Sequence, residues 1–186
     1  GAVVSATDVR PAAREEIESL AAKFVGFVPQ DAATKGGYAR ALTKEEQAEQ
    51  ARMVAEHIKG QDIVITTAQI PGRKAPRIVT AEMVRSMKPG SVVFDLAAET
   101  GGNVEGSRPG ETVDEGDVRV VGARAIASST APASSVLYAR NLFNFVQLLI
   151  DAKTKELKID LNDDLVKGTL LTRDGQLVHE ALKAAA

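Results

Sequence analysis

The sequence predicts an α/β fold built on a mostly parallel sheet. Short β-branched runs alternate with helical patterns over the first two-thirds of the 186 residues, and the connections between successive runs are long enough for crossover helices. The apolar and charged fractions, 44% and 26%, are those of a chain that can bury a core. Parallel neighbours need a crossover, usually a helix, so the alternation itself implies βαβ units.

Residues 2–6 form the first β-rich run, ending at Thr7-Asp8. A helix follows, with Pro11 suited to its first turn and Ile17, Leu20, Ala21 and Phe24 at roughly helical spacing. Residues 23–27 are short and apolar, as a second strand should be, and Pro29 with Gly36-Gly37 then opens a flexible loop. Thr43 precedes Glu46 by three residues, an arrangement in which each side chain can satisfy a backbone N–H at a helix start. That helix should run to about Lys59. Residues 62–67 read as a strand, Pro71, Gly72 and Pro76 as a loop, and 80–87 as a helix closed by Pro89-Gly90. Strands at 91–96 and 119–122 follow, then a long apolar helix from Ala133 to about Leu149, whose Tyr138, Leu142, Phe143 and Phe145 suit core or a subunit interface. Beyond Asp151 the pattern changes. Leu157-Lys158-Ile159-Asp160-Leu161 alternates strictly, and 169–172 and 176–178 flank Arg173-Asp174-Gly175 as a hairpin.

Composition excludes several classes of function. Basic and acidic residues number 23 and 25 and are scattered, so no nucleic-acid footprint is expected. Cysteine is absent, which removes disulfides and thiolate metal sites and fits a reducing, cytoplasmic compartment. No apolar stretch approaches the roughly 20 residues that span a bilayer, and no nucleophile elbow, paired-histidine metal motif or Walker loop occurs. His57 and His179 read as solvated or packed residues.

Asp8 is the first functional candidate. In dinucleotide-binding folds the first strand leads into a glycine turn, and an acid at the end of the second strand bonds the adenosine ribose hydroxyls. Asp8 stands in that place. A carboxylate there accepts from both hydroxyls of NAD and repels the extra phosphate of NADP, a discrimination that nearby Arg10 weakens. The alternative is an acid placed ahead of a helix, where the macrodipole favours it. On the first reading the fold is a Rossmann-type parallel sheet whose first strand and glycine turn are missing, since only seven residues precede Asp8. That strand ordinarily lies between the second and the fourth, so two sheet edges should stand open and the chain should be the remainder of a longer polypeptide.

Gly36 and Gly37 permit backbone angles barred to other residues, and Tyr38 on such a loop either closes over a ligand or decorates an ordinary surface connection. Glu99 and Asn103, and Arg124, Ser128 and Ser129, follow predicted strand ends and read as polar turns within reach of a ligand or a docking partner. None of them is expected to be catalytic.

Residues 2–11, Gly36-Gly37-Tyr38-Ala39, residues 62–68, Ile70-Pro71-Gly72, Lys88-Pro89-Gly90-Ser91-Val92, Gly101-Gly102-Asn103, residues 137–142 and Thr172-Arg173-Asp174-Gly175 together resemble the alpha subunit of proton-translocating nicotinamide nucleotide transhydrogenases. The matches run in order over nearly the whole chain. The resemblance implies an NAD(H)-binding component of two α/β domains, with residues 1–143 forming the dinucleotide domain, incomplete at its start, and 144–186 returning to the other domain. It implies Asp8, Val9 and Arg10 at the adenosine end of NAD, Gly37 and Tyr38 on a mobile loop that closes over it, and Gln50 near the site. Gln69 follows the strand at 62–67, where the family usually carries an apolar residue. The implied assembly is a homodimer, docked beside an NADP(H)-binding component and a membrane component that couples hydride transfer to proton movement. Its implied place is the cytoplasmic side of the cell membrane, and hydride transfer between two nicotinamides needs no metal and no protein nucleophile. An amino-acid dehydrogenase of the alanine dehydrogenase type and a non-catalytic dimer module are the alternatives. The glycine-tyrosine loop and the Arg173-Asp174-Gly175 hairpin favour the transhydrogenase over the first.

Overall fold

The structure, a computed structural model, describes residues 1–27, 43–70 and 72–183 and separates into two compact units, Gly1–Ile126 and Ala127–Ala186. The first unit holds β1 (Ser5–Ala6), α1 (Pro11–Ser19), β2 (Lys23–Phe24), α2 (Lys44–Ile58), β3 (Ile63–Thr66), α3 (Ala81–Arg85), β4 (Val92–Asp95), β5 (Thr112–Glu115) and β6 (Val118–Gly122). α4 (Ile126–Ser129) follows β6.

The strands fall into two sheets. β1 and β2 pair in parallel, and a four-stranded sheet has the order β3-β4-β6-β5. β3, β4 and β6 run parallel, with Ile65 beside Phe94 and Phe94 beside Val121, while β5 joins β6 antiparallel. Among the described residues no strand pairs with the outer edge of β3 or the second edge of β1, so the two edges expected to stand open are among those left unpaired. The same condition explains why β1 and β2 are two residues long where longer runs were expected. A strand with one partner forms fewer ladder bonds to hold its ends.

One face of the larger sheet carries the core. Val93, Val118 and Val120 alternate inward with the strand period and meet Ile58 of α2, Val84 of α3, and Val79, Met87 and Val104. The opposite face is open at β3, where Ile63 and Ile65 are 67% and 63% exposed. Parallel strands are normally covered on both faces, whereas these two side chains stay uncovered among the described residues.

Local chemistry sets the helix starts. Pro11 opens α1, and the amide left without an intrahelical partner there is one that proline does not have. Thr43 accepts from the Glu46 amide at 3.2 Å while Glu46 accepts from the Thr43 amide at 2.8 Å, the reciprocal cap anticipated from their spacing. Thr43→Ala removes one half of it and is expected to cost about 1 kcal/mol, read as a lower urea midpoint with unchanged slope. An unshifted midpoint would mean that the cap contributes nothing. At the other end of α2, His57 Nε2 lies 2.7 Å from Ser5 Oγ and ties the helix to β1.

The strand at 112–115 was not anticipated. Its Thr-Val-Asp-Glu sequence carries one apolar residue, and pairing with β6 through the Gly116-Asp117 turn holds it. In the second unit, α5 (Ala131–Leu148) occupies the expected helix. The alternating run 157–161 forms no named strand: among the described residues it makes only an isolated bridge, Ile150 to Leu157, and Asp163 then caps α6 (Asp164–Thr169) through the amides of Leu165 and Val166. Alternation without a partner strand does not make a sheet. β7 (Thr172–Arg173) and β8 (Gln176–Leu177) form the anticipated hairpin, with Asp174 and Gly175 at φ 50° and 76° as a tight primed turn requires. α7 (Glu180–Lys183) closes the described chain.

Candidate functional site

The carboxyl ends of the parallel strands are where open α/β sheets bind ligands, and Asp8 follows the end of β1. Its carboxylate accepts from the Arg10 amide at 2.8 Å and from the Arg10 guanidinium, with Nη2 at 3.0 Å from Oδ2. It does not cap α1: the residue in the cap position is Arg10, which makes no side-chain cap bond. Burial alone would raise the Asp8 pKa, but the hydrogen bonds and charge of Arg10 more than offset this and hold it below its ordinary value of 3.8. The pair is accessible from solvent, with side chains 29% and 52% exposed for Asp8 and Arg10. Val9 is half exposed beside them.

Gln50 of α2 joins this group through the hydroxyl of Thr7, the residue before Asp8. Its Nε2 donates to Thr7 Oγ1 at 2.7 Å and its Oε1 accepts from the Phe27 amide at 2.7 Å. One side chain therefore bridges the segments leaving β1 and β2. Gly26 is needed there: it sits at φ 150°, and a Cβ would fall 2.8 Å from Gln50 Oε1 and 3.1 Å from Thr7 Oγ1. Thr7 was missed in the sequence, where nothing separates it from any other threonine at a strand end.

Gln69 lies at the ends of β3 and β4, where its Nε2 is 3.4 Å from the Leu96 carbonyl oxygen. Gly37 and Tyr38 fall outside the described residues. Glu99 accepts from the Ala125 amide at 2.9 Å, Arg124 packs along Gly110, and Ser128 and Ser129 lie in α4. An open cleft of about 620 Å³ beside β2 and α2 is lined by Lys23, Phe24, Gly26, Met53 and His57 among others, and it includes none of Asp8, Gln50 and Gln69. The candidate residues therefore fall in two groups, Asp8, Val9, Arg10 and Gln50 at the ends of β1 and β2, and Gln69 at the ends of β3 and β4.

Parallel strands with their candidate residues at the carboxyl ends, and sheets parted between β1 and β3, define an α/β domain of the Rossmann plan. The chain belongs to the alanine dehydrogenase/PNT C-terminal domain family, whose profile matches residues 1–180. It is 47% identical over 185 residues to an NAD(P) transhydrogenase subunit alpha polypeptide of Rhodospirillum rubrum, covering 98% of this chain and 48% of that protein. The crystal structure of transhydrogenase from Sinorhizobium meliloti superposes with a TM-score of 0.75 at 50% identity, over 96% of this chain and 46% of that one. Alanine dehydrogenase 1 of Staphylococcus aureus is more distant, 34% identical over 136 residues, which is 71% of this chain and 36% of that protein. The chain therefore spans about half the length of the transhydrogenase subunit it matches. Among the described residues no helix is long and apolar enough to cross a membrane.

Proposed function

We propose that these residues are part of the NAD(H)-binding component of a transhydrogenase that passes hydride between NAD(H) and NADP(H). The NADP(H) sits on a separate component, and a membrane component couples the transfer to proton movement. The component is a homodimer peripheral to the cytoplasmic side of the membrane, with residues 1–143 in its dinucleotide domain and 144–186 returning to a second domain. Similarity to transhydrogenase alpha subunits over nearly the whole chain supports this. The observation that carries the cofactor assignment is the ionised Asp8 at the carboxyl end of β1.

The residues present fit the adenosine end of a dinucleotide. Asp8, whose carboxylate stays accessible beside its contacts with Arg10, accepts from the ribose hydroxyls, and Val9 offers an apolar contact for the adenine. Gln50 holds the strand ends that frame this end of the groove, so its part is to position them. Gly37 and Tyr38 are assigned to the segment that covers the cofactor, and Gln69 to the side of the groove at β3. A further parallel strand between β1 and β3 would close the sheet and bring the glycine turn for the pyrophosphate. NAD(H) itself supplies the hydride chemistry when bound. The protein's share is to fix the ring position and exclude water.

Calorimetric titration of the full-length component tests the assignment: NADH should bind at least about tenfold more tightly than NADPH, the margin set by one unfavourable carboxylate–phosphate contact. Equal affinities would remove Asp8 from the ribose. NADH oxidation that depends on pyruvate and ammonia, with no transfer to NADP, would favour the alanine dehydrogenase reading instead.

A further inference from the structure

Asp95 and Asn103 are completely buried polar side chains at the carboxyl end of the larger sheet. Asp95, the last residue of β4, accepts from the amides of Ala97 and Val104 at 3.0 and 3.1 Å and from Thr66 Oγ1, at the end of β3, at 3.2 Å. Asn103 Nδ2 donates to two carbonyl oxygens, those of Ala68 and Pro76, each at 2.8 Å. These are the shoulders of the loop that leaves β3 and carries Gln69. The backbone of Asn103 does the same work, since its carbonyl accepts from Ile78 and Val79 at 2.8 and 3.0 Å. Gly101 and Gly102 permit this approach: a Cβ on Gly102 would lie 2.9 Å from Asp95 Oδ2, and one on Gly101 would lie 2.5 Å from the Lys74 side chain.

Asn103 Oδ1, by contrast, is buried with no hydrogen-bond partner. An unsatisfied buried acceptor is costly, and the usual remedy of turning the amide over is closed, because the oxygen would then face two carbonyls. Asparagine and glutamine are the neutral side chains that offer two donors on one nitrogen, and the shorter of the two is used here. The orphaned oxygen is the consequence of placing two donors between two loop shoulders.

We infer that Asn103, next to the Val104 amide that Asp95 holds with support from Thr66, is a positioning residue that sets the loop after β3 against the nicotinamide half of the bound dinucleotide. The inference rests on the proposed NAD(H) reading. A dinucleotide lies across the crevice of a doubly wound sheet with one half on each set of strand ends. With Asp8 taking the adenosine at β1, the other half falls over β3 and β4, whose connecting loops are those that Asn103 and Asp95 tie together. Asn103 touches no reacting atom. It acts through the placement of the Ala68–Gln69 backbone.

The test uses the full-length enzyme with its NADP(H)-binding partner and compares wild type with Asn103→Ala, Thr66→Val and Thr66→Ser. Turnover, the KM for NADH and amide hydrogen exchange are read for each. Asn103→Ala should lower kcat about tenfold or more, as a misplacement of less than an ångström does, and leave the KM for NADH within about threefold. Exchange should speed at Arg73 and Ala75 of the tied loop, whose amides bond the carbonyls of Ile70 and of Thr100 in the turn after β4, and stay slow at Val93 and Val120. Thr66→Val should show a smaller effect in the same direction, and Thr66→Ser, which keeps the hydroxyl, should restore turnover. Unchanged kcat in Asn103→Ala overturns the inference, and so does exchange that quickens across β4 and β6 in step with lost activity, which is the signature of general destabilisation. If Asn103→Ala does not fold, the threonine pair decides, and wild-type turnover in Thr66→Val counts against the role. Wild-type enzyme that binds no NADH overturns the NAD(H) reading and the inference together, and it is recognised because no substitution is involved.

Discussion

Replacing Asp8 with asparagine in the full-length component is expected to bring the affinities for NADH and NADPH together or invert them, with NADPH gaining about tenfold or more and NADH losing several-fold. The carboxylate and the Arg10 guanidinium hold each other through three side-chain contacts of 3.0–3.3 Å. While that pair is intact the guanidinium is occupied and an added phosphate meets a carboxylate. Asparagine keeps the shape and one acceptor oxygen but removes the charge. Arg10 is then free to take a 2′-phosphate through its planar donor fork. The double variant Asp8→Asn with Arg10→Ala should lose the NADPH gain, and calorimetry on the four proteins separates the two contributions. Single and double variants with the same NADH-to-NADPH ratio as wild type would place the adenosine elsewhere. The sign of the pH dependence follows from the lowered Asp8 pKa. Asp8 is ionised at every pH above the ordinary carboxylate value of 3.8, so wild-type discrimination should be flat from mildly acidic to neutral pH and fade only as acid titrates the group through its lowered pKa.

How much of this was legible in the sequence depends on the range of the interactions involved. The Thr43–Glu46 cap and the Asp174-Gly175 turn are local, three residues or fewer apart, and both form as read. The division into two sheets was legible too, because in this architecture the strand order places another strand between the one ending at Asp8 and β3. Long-range partners were not legible. The strand at 112–115 has no periodic apolar signal of its own and depends on β6, whereas residues 157–161 have the signal and lack a partner strand among the described residues. Asn103 reads as a loop residue after two glycines, and neither its burial nor its two carbonyl partners, 27 and 35 residues away, leave any trace in local sequence. Gln50 was placed near the cofactor by family resemblance. Its role as the bridge between Thr7 and Phe27 required knowing which strand ends α2 passes.

Gly122→Ala is expected to be the most damaging single methyl that can be added to the larger sheet. Gly122 ends β6, which lies between β4 and β5, and a Cβ there would stand 2.0 Å from the Arg108 carbonyl oxygen and 2.6 Å from its carbon. The obstruction is backbone, so no rotamer relieves it. Arg108 cannot retreat cheaply, because the turn it belongs to is tied to the same glycine, with the Gly110 amide donating to the Gly122 carbonyl at 2.8 Å and the Gly122 amide to the Glu111 carbonyl at 2.9 Å. Overpacking of this kind costs roughly 1–3 kcal/mol where side chains can move, and with two backbone bonds to be broken the loss should exceed about 3 kcal/mol. The next residue carries the damage toward the site, since the Ala123 amide bonds the carbonyl of Asp95. Gly168→Ala supplies the contrast. Gly168 lies within α6 with no atom within 4 Å of its would-be Cβ and no left-handed φ, and the same methyl there should stabilise by about 0.5–1 kcal/mol through helix propensity. Urea unfolding of the two variants should therefore move the midpoint in opposite directions. A Gly122→Ala protein with a wild-type midpoint would mean that the 108–111 turn does not cross the end of β6 as described.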